Sequence, residues 1–167
     1  GRLEAMGLGP DVLRERNPKL VMVRISGFGQ TGPYRDKPGY DLVAQGMSGM
    51  MSFTGHPDAP PVKSSIPMAD LNAGMFAAYG VLSAYIHRLK TGEGQVVETS
   101  LLEAAIAYTV WESAELWGSG ATPQPKGSAH RMVAPYQAIA TSDGYFNLAA
   151  GNQGIWEGFC AAAGRED

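Results

Sequence analysis

Residues 66–104 read IPMADLNAGMFAAYGVLSAYIHRLKTGEGQVVETSLLEA, and the hydrophobic period changes inside them. From Asp70 to Lys90, Leu71, Met75, Ala78, Leu82, Ile86 and Leu89 recur at spacings of three and four. That periodicity predicts a long helix with one buried face. Asp70 opens it, and Gly92 or Gly94 supplies the C-terminal stop. QVVET at 95–99 then reads as a short strand. Ser100-Leu101-Leu102-Glu103 forms a capping box, serine and glutamate each satisfying a free amide at the start of a helix that reaches about Trp117. Helix, strand and helix in direct succession place the chain in the α/β class.

Working upstream, the proline-rich segment 54–67 reads as an extended loop. Asp41 is placed to N-cap a short helix running through Met51. Before it, Ser26-Gly27-Phe28-Gly29-Gln30-Thr31-Gly32-Pro33 is a loop by its glycines and proline. KLVMVRI at 19–25 predicts a buried strand. Pro10 sits in the first turn of a short helix that Asn17-Pro18 ends. Downstream, 118–131 is a loop, and 136–141 and 145–150 are strands joined at Ser142-Asp143-Gly144 as a hairpin. A last helix covers 153–163. The order mixes helices and short strands without strict alternation.

Among 167 residues, 44% are apolar and 17% charged, the balance of a chain able to pack a core. Net charge is −3 with scattered basic residues, so no nucleic-acid footprint is read. The uncharged run 71–86 is short for a bilayer and carries Asn72, Gly74, Gly80 and Ser83, so no membrane span is read. No signal peptide stands out, and Cys160 is the single cysteine, so no intrachain disulfide forms. Cys160 reads as buried filler in an apolar helix, and the chain as cytoplasmic. Gly1 is not an initiator, and the sequence reads as an internal fragment of a longer one.

Three places could carry chemistry. Asp70 follows the proline-rich loop at a helix start, and two readings stand side by side. It could be an N-cap. It could also be an ionised carboxylate, held by helix-start amides and favoured by the dipole, that serves as nucleophile or general base. Tyr40 could anchor a helix end by packing, or donate a hydrogen bond to a carbonyl or thiol. In Pro125-Lys126-Gly127-Ser128-Ala129-His130-Arg131, small residues offer backbone amides that could cradle an oxyanion, and a plain surface loop is the alternative. His56, His87 and His130 lie in different segments without metal-ligand spacing, so no metal site is read. Neither a dinucleotide fingerprint, a P-loop nor a nucleophile elbow occurs.

The ordered set Asn17-Pro18, Ser26 through Tyr34 (SGFGQTGPY), Pro38-Gly39-Tyr40-Asp41, Pro67-Met68-Ala69-Asp70, Thr91-Gly92-Glu93-Gly94-Gln95, Ser100-Leu101-Leu102-Glu103-Ala104, Pro135-Tyr136-Gln137 and Asp143-Gly144 resembles the family III CoA-transferases. That group includes formyl-CoA and carnitine CoA-transferases and α-methylacyl-CoA racemase. The resemblance puts the family's catalytic aspartate on Asp70. It implies transfer of CoA from an acyl-CoA to a carboxylic acid through covalent aspartyl intermediates. The CoA thioester would be a substrate, with no permanently bound cofactor.

Thirty positions before Asp70, where the family's racemases carry a histidine, stands Tyr40. The resemblance therefore favours a transferase, with the tyrosine near the CoA thiol. Gly127 and Ser128 fall where some transferases carry a glycine-rich flap, and imply an oxyanion donor; only Gly127 matches that composition. On this resemblance, 1–120 belongs to the large domain carrying the catalytic aspartate, and 121–167 starts the smaller one. Much of the CoA-binding surface would precede Gly1, and the whole protein would be an interlocked homodimer. The competing readings are an α-methylacyl-CoA racemase or epimerase, and a non-catalytic member of the fold.

Overall fold

The computed structural model describes residues 1–165. In chain order its elements are α1 (Arg2–Ala5), α2 (Pro10–Arg16), β1 (Met22–Ser26), α3 (Asp41–Met47), α4 (Met50–Phe53), α5 (Met68–Thr91), β2 (Val96–Ser100), α6 (Leu101–Ile106), α7 (Val110–Ser119), β3 (Tyr136–Ala140), β4 (Tyr145–Ala149) and α8 (Gln153–Ala163). They divide into two compact units, one of Gly1–Met51 with Lys63–Thr122, the other of Ser52–Val62 with the chain from Pro123 onward.

In the first unit β1 and β2 pair in parallel, Met22 opposite Val96 through Ser26 opposite Ser100. A parallel pair needs a long crossover, and α3, α4 and α5 occupy it. Helix α5 packs on both strands and against α3 and α6. Its C-terminus is the expected one: Gly92 turns left-handed at φ 81° and its amide donates to the Arg88 carbonyl at 2.8 Å.

The buried face of α5 is not the expected one. Leu71, Met75, Leu82, Ile86 and Leu89 are all exposed, Leu89 at 68%. The buried positions are Ala69, Asn72, Ala73, Ala77 and Ala84. A two-stranded sheet covers one side of the helix only, and small residues let the backbones come close there. At Gly80 a Cβ would stand 2.4 Å from Val97 Cγ1. Deeper in, Ala44, Ala69 and Ala105 form a cluster flanked by Met50 and Leu101, which seats α3, the start of α5 and α6 together. Strand β1 also departs from expectation. It alternates half-buried and exposed residues instead of being buried throughout, since neither face of so small a sheet is fully covered.

Two predicted helices are each split. The segment from Asp41 breaks at Gly49 (φ 89°) between α3 and α4. The helix after the capping box breaks between α6 and α7. There the buried Thr109 hydroxyl donates back to the Ile106 carbonyl at 2.8 Å and meets the Ser113 hydroxyl at 2.7 Å. Half of the capping box is present: Glu103's amide donates to Ser100 Oγ at 3.1 Å, but Glu103 Oε2 accepts from the Ser100 hydroxyl at 2.7 Å rather than from the Ser100 amide.

In the second unit β3 and β4 form an antiparallel hairpin, Tyr136 opposite Ala149. Its turn closes with Thr141's amide on the Gly144 carbonyl at 2.8 Å. Helix α8 starts with Asn152 Oδ1 accepting from Ile155's amide at 3.0 Å, and Phe159 stacks on Phe146 of the hairpin. Cys160 is half-buried. No helix among the described residues is long and apolar enough to cross a membrane.

Candidate active site

Helix α5 begins two residues before Asp70, so Asp70 is its third residue and caps nothing. Pro67 holds the cap position and has no side-chain acceptor to offer. The first-turn amides find acceptors elsewhere: Met68's donates to the Ile66 carbonyl at 2.8 Å, Ala69's to Asp41 Oδ1 at 2.8 Å, and Leu71's to the Pro67 carbonyl at 3.0 Å. The Asp70 side chain is exposed, and among the described residues its carboxylate has no hydrogen-bond or ion-pair partner. Neither the N-cap reading nor the idea of a carboxylate held by helix-start amides survives. What stands there is an uncommitted acceptor within reach of the positive end of a 24-residue helix.

Asp41 also differs from expectation. Tyr40, not Asp41, occupies the cap position of α3, and the Asp41 carboxylate leaves its own helix start to serve that of α5. Its Oδ2 accepts from Gln45 Nε2 at 2.6 Å. Gln45 is 1% exposed and faces the segment ahead of α5. Its Oε1 accepts from Ser64's amide at 2.8 Å, and its Nε2 lies 3.5 Å from the Ile66 carbonyl. The pair thus pins both the approach to α5 and its first turn. Sequence reasoning missed Gln45. The one available signal was the Asp41–Gln45 spacing of four on a short helix.

Tyr40 is 77% exposed, so it does not anchor the helix end by packing. Its hydroxyl has no partner among the described residues, while its carbonyl accepts from Ala44's amide at 3.0 Å. Tyr40 and Asp70 are chain neighbours of Asp41 and Ala69, the two ends of one hydrogen bond. The preceding loop is held by backbone contact: a Cβ on Gly27 would lie 2.7 Å from the Gly39 Cα. The Gly27 carbonyl also accepts from Leu102's amide, which joins that loop to α6.

Gly127 and Ser128 lie in the other unit. Gly127 has φ 59°, and a Cβ there would meet the His56 side chain at Nδ1 at 2.9 Å, so glycine is favoured on both counts. Its amide is already spent on the Gly55 carbonyl at 2.8 Å. Ser128 Oγ accepts from Ala138's amide at 3.0 Å, and Ser128's own amide has no acceptor among the described residues. No group of three His, Cys, Asp or Glu side chains that could hold a metal occurs among the described residues.

Comparison with known proteins supplies what one chain cannot. The family model described as CoA-transferase family III matches residues 1–167. The succinate–glutarate CoA-transferase of Agrobacterium fabrum is 41% identical over 162 residues, covering 97% of this chain and 40% of that protein. The succinyl-CoA–D-citramalate CoA-transferase of Chloroflexus aurantiacus is 38% identical over 168 residues, 100% of this chain and 42% of that protein. The crystal structure of a CAIB/BAIF family protein from Brucella suis superposes with a TM-score of 0.85 at 38% identity, covering 98% of this chain and 43% of that one. The chain therefore spans well under half the length of the relatives it matches.

Proposed function

We propose that this chain, which belongs to CoA-transferase family III, carries the nucleophile of an acyl-CoA:carboxylate CoA-transferase, and that the nucleophile is Asp70. The observation that supports this most directly is the uncommitted, accessible carboxylate on a helix start capped by a different aspartate. A nucleophile needs a free lone pair, and Asp70 offers one from a backbone that is held at the neighbouring Ala69 amide.

The reaction balances without a resident cofactor. The Asp70 carboxylate attacks the donor thioester carbonyl, forming an acyl-aspartyl anhydride and releasing CoA thiolate. The thiolate attacks the aspartyl carbonyl, giving an aspartyl-CoA thioester and freeing the donor acid. The acceptor carboxylate attacks that thioester, making a second anhydride and releasing the thiolate again. The thiolate then takes the acceptor acyl group, and Asp70 returns as a carboxylate. Tyr40, with its hydroxyl unengaged, is the hydrogen-bond donor to the thiol end of CoA. In the second unit, the Ser128 amide, beside the left-handed Gly127 and without an acceptor among the described residues, is the candidate oxyanion donor.

Substrates are an acyl-CoA and a carboxylic acid. The relatives' names favour short dicarboxylic acids on both sides and the transferase over the racemase reading. The whole protein acts in the cytoplasm as a homodimer. The test is to give the complete gene product succinyl-CoA and glutarate, quench with hydroxylamine and locate the hydroxamate by mass spectrometry. A hydroxamate on Asp70 is expected. Steady turnover with unmodified Asp70 would refute the mechanism, and α-proton exchange without an acceptor acid would restore the racemase.

A further inference from the structure

We infer that Asp41 is a positioning residue for Asp70, and that Gln45 holds Asp41 in place for that task; the inference rests on Asp70 as the nucleophile. Both Asp41 oxygens are committed, Oδ1 to Ala69's amide at 2.8 Å and Oδ2 to Gln45 Nε2 at 2.6 Å. Ala69 is fully buried at 0% exposure and directly precedes Asp70, so its peptide fixes where the Asp70 Cα stands. Gln45, almost without exposure, ties the other side: its Oε1 takes Ser64's amide, and its Nε2 faces the Ile66 carbonyl. The backbone leading into Asp70 is held at Ser64, at Ile66 and at Ala69 by two side chains of one short helix, while the reactive carboxylate itself is left free.

A local cap would not do the same work. A serine or aspartate at position 67 would tie the helix start to its own loop, and the nucleophile would move with that loop. Asp41 ties it instead to α3, whose first turn follows Tyr40. A shift at the tyrosine is thereby a shift at the nucleophile. Covalent catalysis is sensitive to such placement, since misplacing a reacting group by an ångström costs on the order of 100-fold.

The donor pattern also requires an aspartate. Asn at 41 can still accept from Ala69's amide, but its NH₂ then meets the NH₂ of Gln45. Turning Gln45 over would set that NH₂ against Ser64's N–H. Asp41→Asn therefore keeps one bond and loses the other, while Asp41→Ala loses both.

The test uses the complete gene product with succinyl-CoA and glutarate, reading kcat, KM for succinyl-CoA and the single-turnover rate of hydroxamate formation on Asp70. For Asp41→Ala, kcat and the trapping rate should fall on the order of 10- to 100-fold while KM stays within about twofold. Asp41→Asn should fall less, at native KM. Should Asp41→Ala fail to fold, Asp41→Asn carries the test alone, with a lowered kcat at unchanged KM expected. Native kcat in Asp41→Asn, or a loss carried by KM, overturns the positioning role while leaving Asp70 as nucleophile. Absence of any hydroxamate on Asp70 in the native protein overturns the nucleophile and this inference with it.

Discussion

The Asp41 carboxylate accepts the amide hydrogen of Ala69 at 2.8 Å, across 28 positions of sequence. This one bond joins the start of α3 to the start of α5, and it lies over the alanine cluster of Ala44, Ala69 and Ala105. Replacing Asp41 by alanine leaves a buried amide without an acceptor. The expected cost is about 1–2 kcal/mol, the size of a lost N-cap with some desolvation. Urea denaturation of the two proteins measures it, and a difference below a few tenths of a kcal/mol would mean that water replaces the carboxylate freely.

Asp70 predicts the opposite pairing of effects. Its side chain accepts no hydrogen bond among the described residues, so Asp70→Asn removes only its interaction with the helix dipole. Stability should change by at most about 1 kcal/mol, and the hydroxamate should vanish from position 70. A large loss of stability would show that the carboxylate is doing structural work that its exposure denies.

Two glycines of α5 give substitutions of opposite sign. Gly74 is exposed, and a Cβ there meets nothing within 4 Å. Gly74→Ala should therefore stabilise residues 1–167 by about 0.5–1 kcal/mol through helix propensity alone. At Gly80 the same methyl would stand 2.4 Å from Val97 Cγ1, so either Val97 must turn or α5 must move off β2. Gly80→Ala should cost about 1–3 kcal/mol. Thermal melting of both variants checks the pair. Equal shifts would mean that α5 does not press on the sheet at that point.

These contrasts also mark what could be read from sequence. The end of α5 at Gly92, the hairpin around Asp143-Gly144 and the span of α8 all rest on local chemistry, and all are found. The buried face of α5 was not legible. Periodicity locates the stripe of large residues, whereas close approach to β1 and β2 selects the stripe of alanines, and only the sheet's position decides between them. The split at Thr109 depends on a hydroxyl turning back to the Ile106 carbonyl, a choice open to any threonine. At the candidate site, Asp70 and Tyr40 could be singled out by their motifs. Which aspartate caps α5 could not, because that bond spans 28 residues and joins two separate helices.

Tyr40 and Asp70 can be separated by how much each is worth. Tyr40 is 77% exposed and its hydroxyl has no partner among the described residues, so Tyr40→Phe removes one donor and almost no packing. Stability should hold within about 0.5 kcal/mol, as for other surface changes. If the phenol only orients the thiol end of CoA, turnover should drop on the order of 10-fold, the scale of one hydrogen bond in a closed site. Asp70→Ala deletes the group that becomes covalently modified and should cost on the order of 10⁴-fold or more. Steady-state kinetics of the complete gene product with succinyl-CoA and glutarate gives both numbers. Equal losses would move the tyrosine from orienting the thiol to a step in which a proton is transferred, because a phenol that matters as much as the nucleophile must act on the reacting atoms themselves.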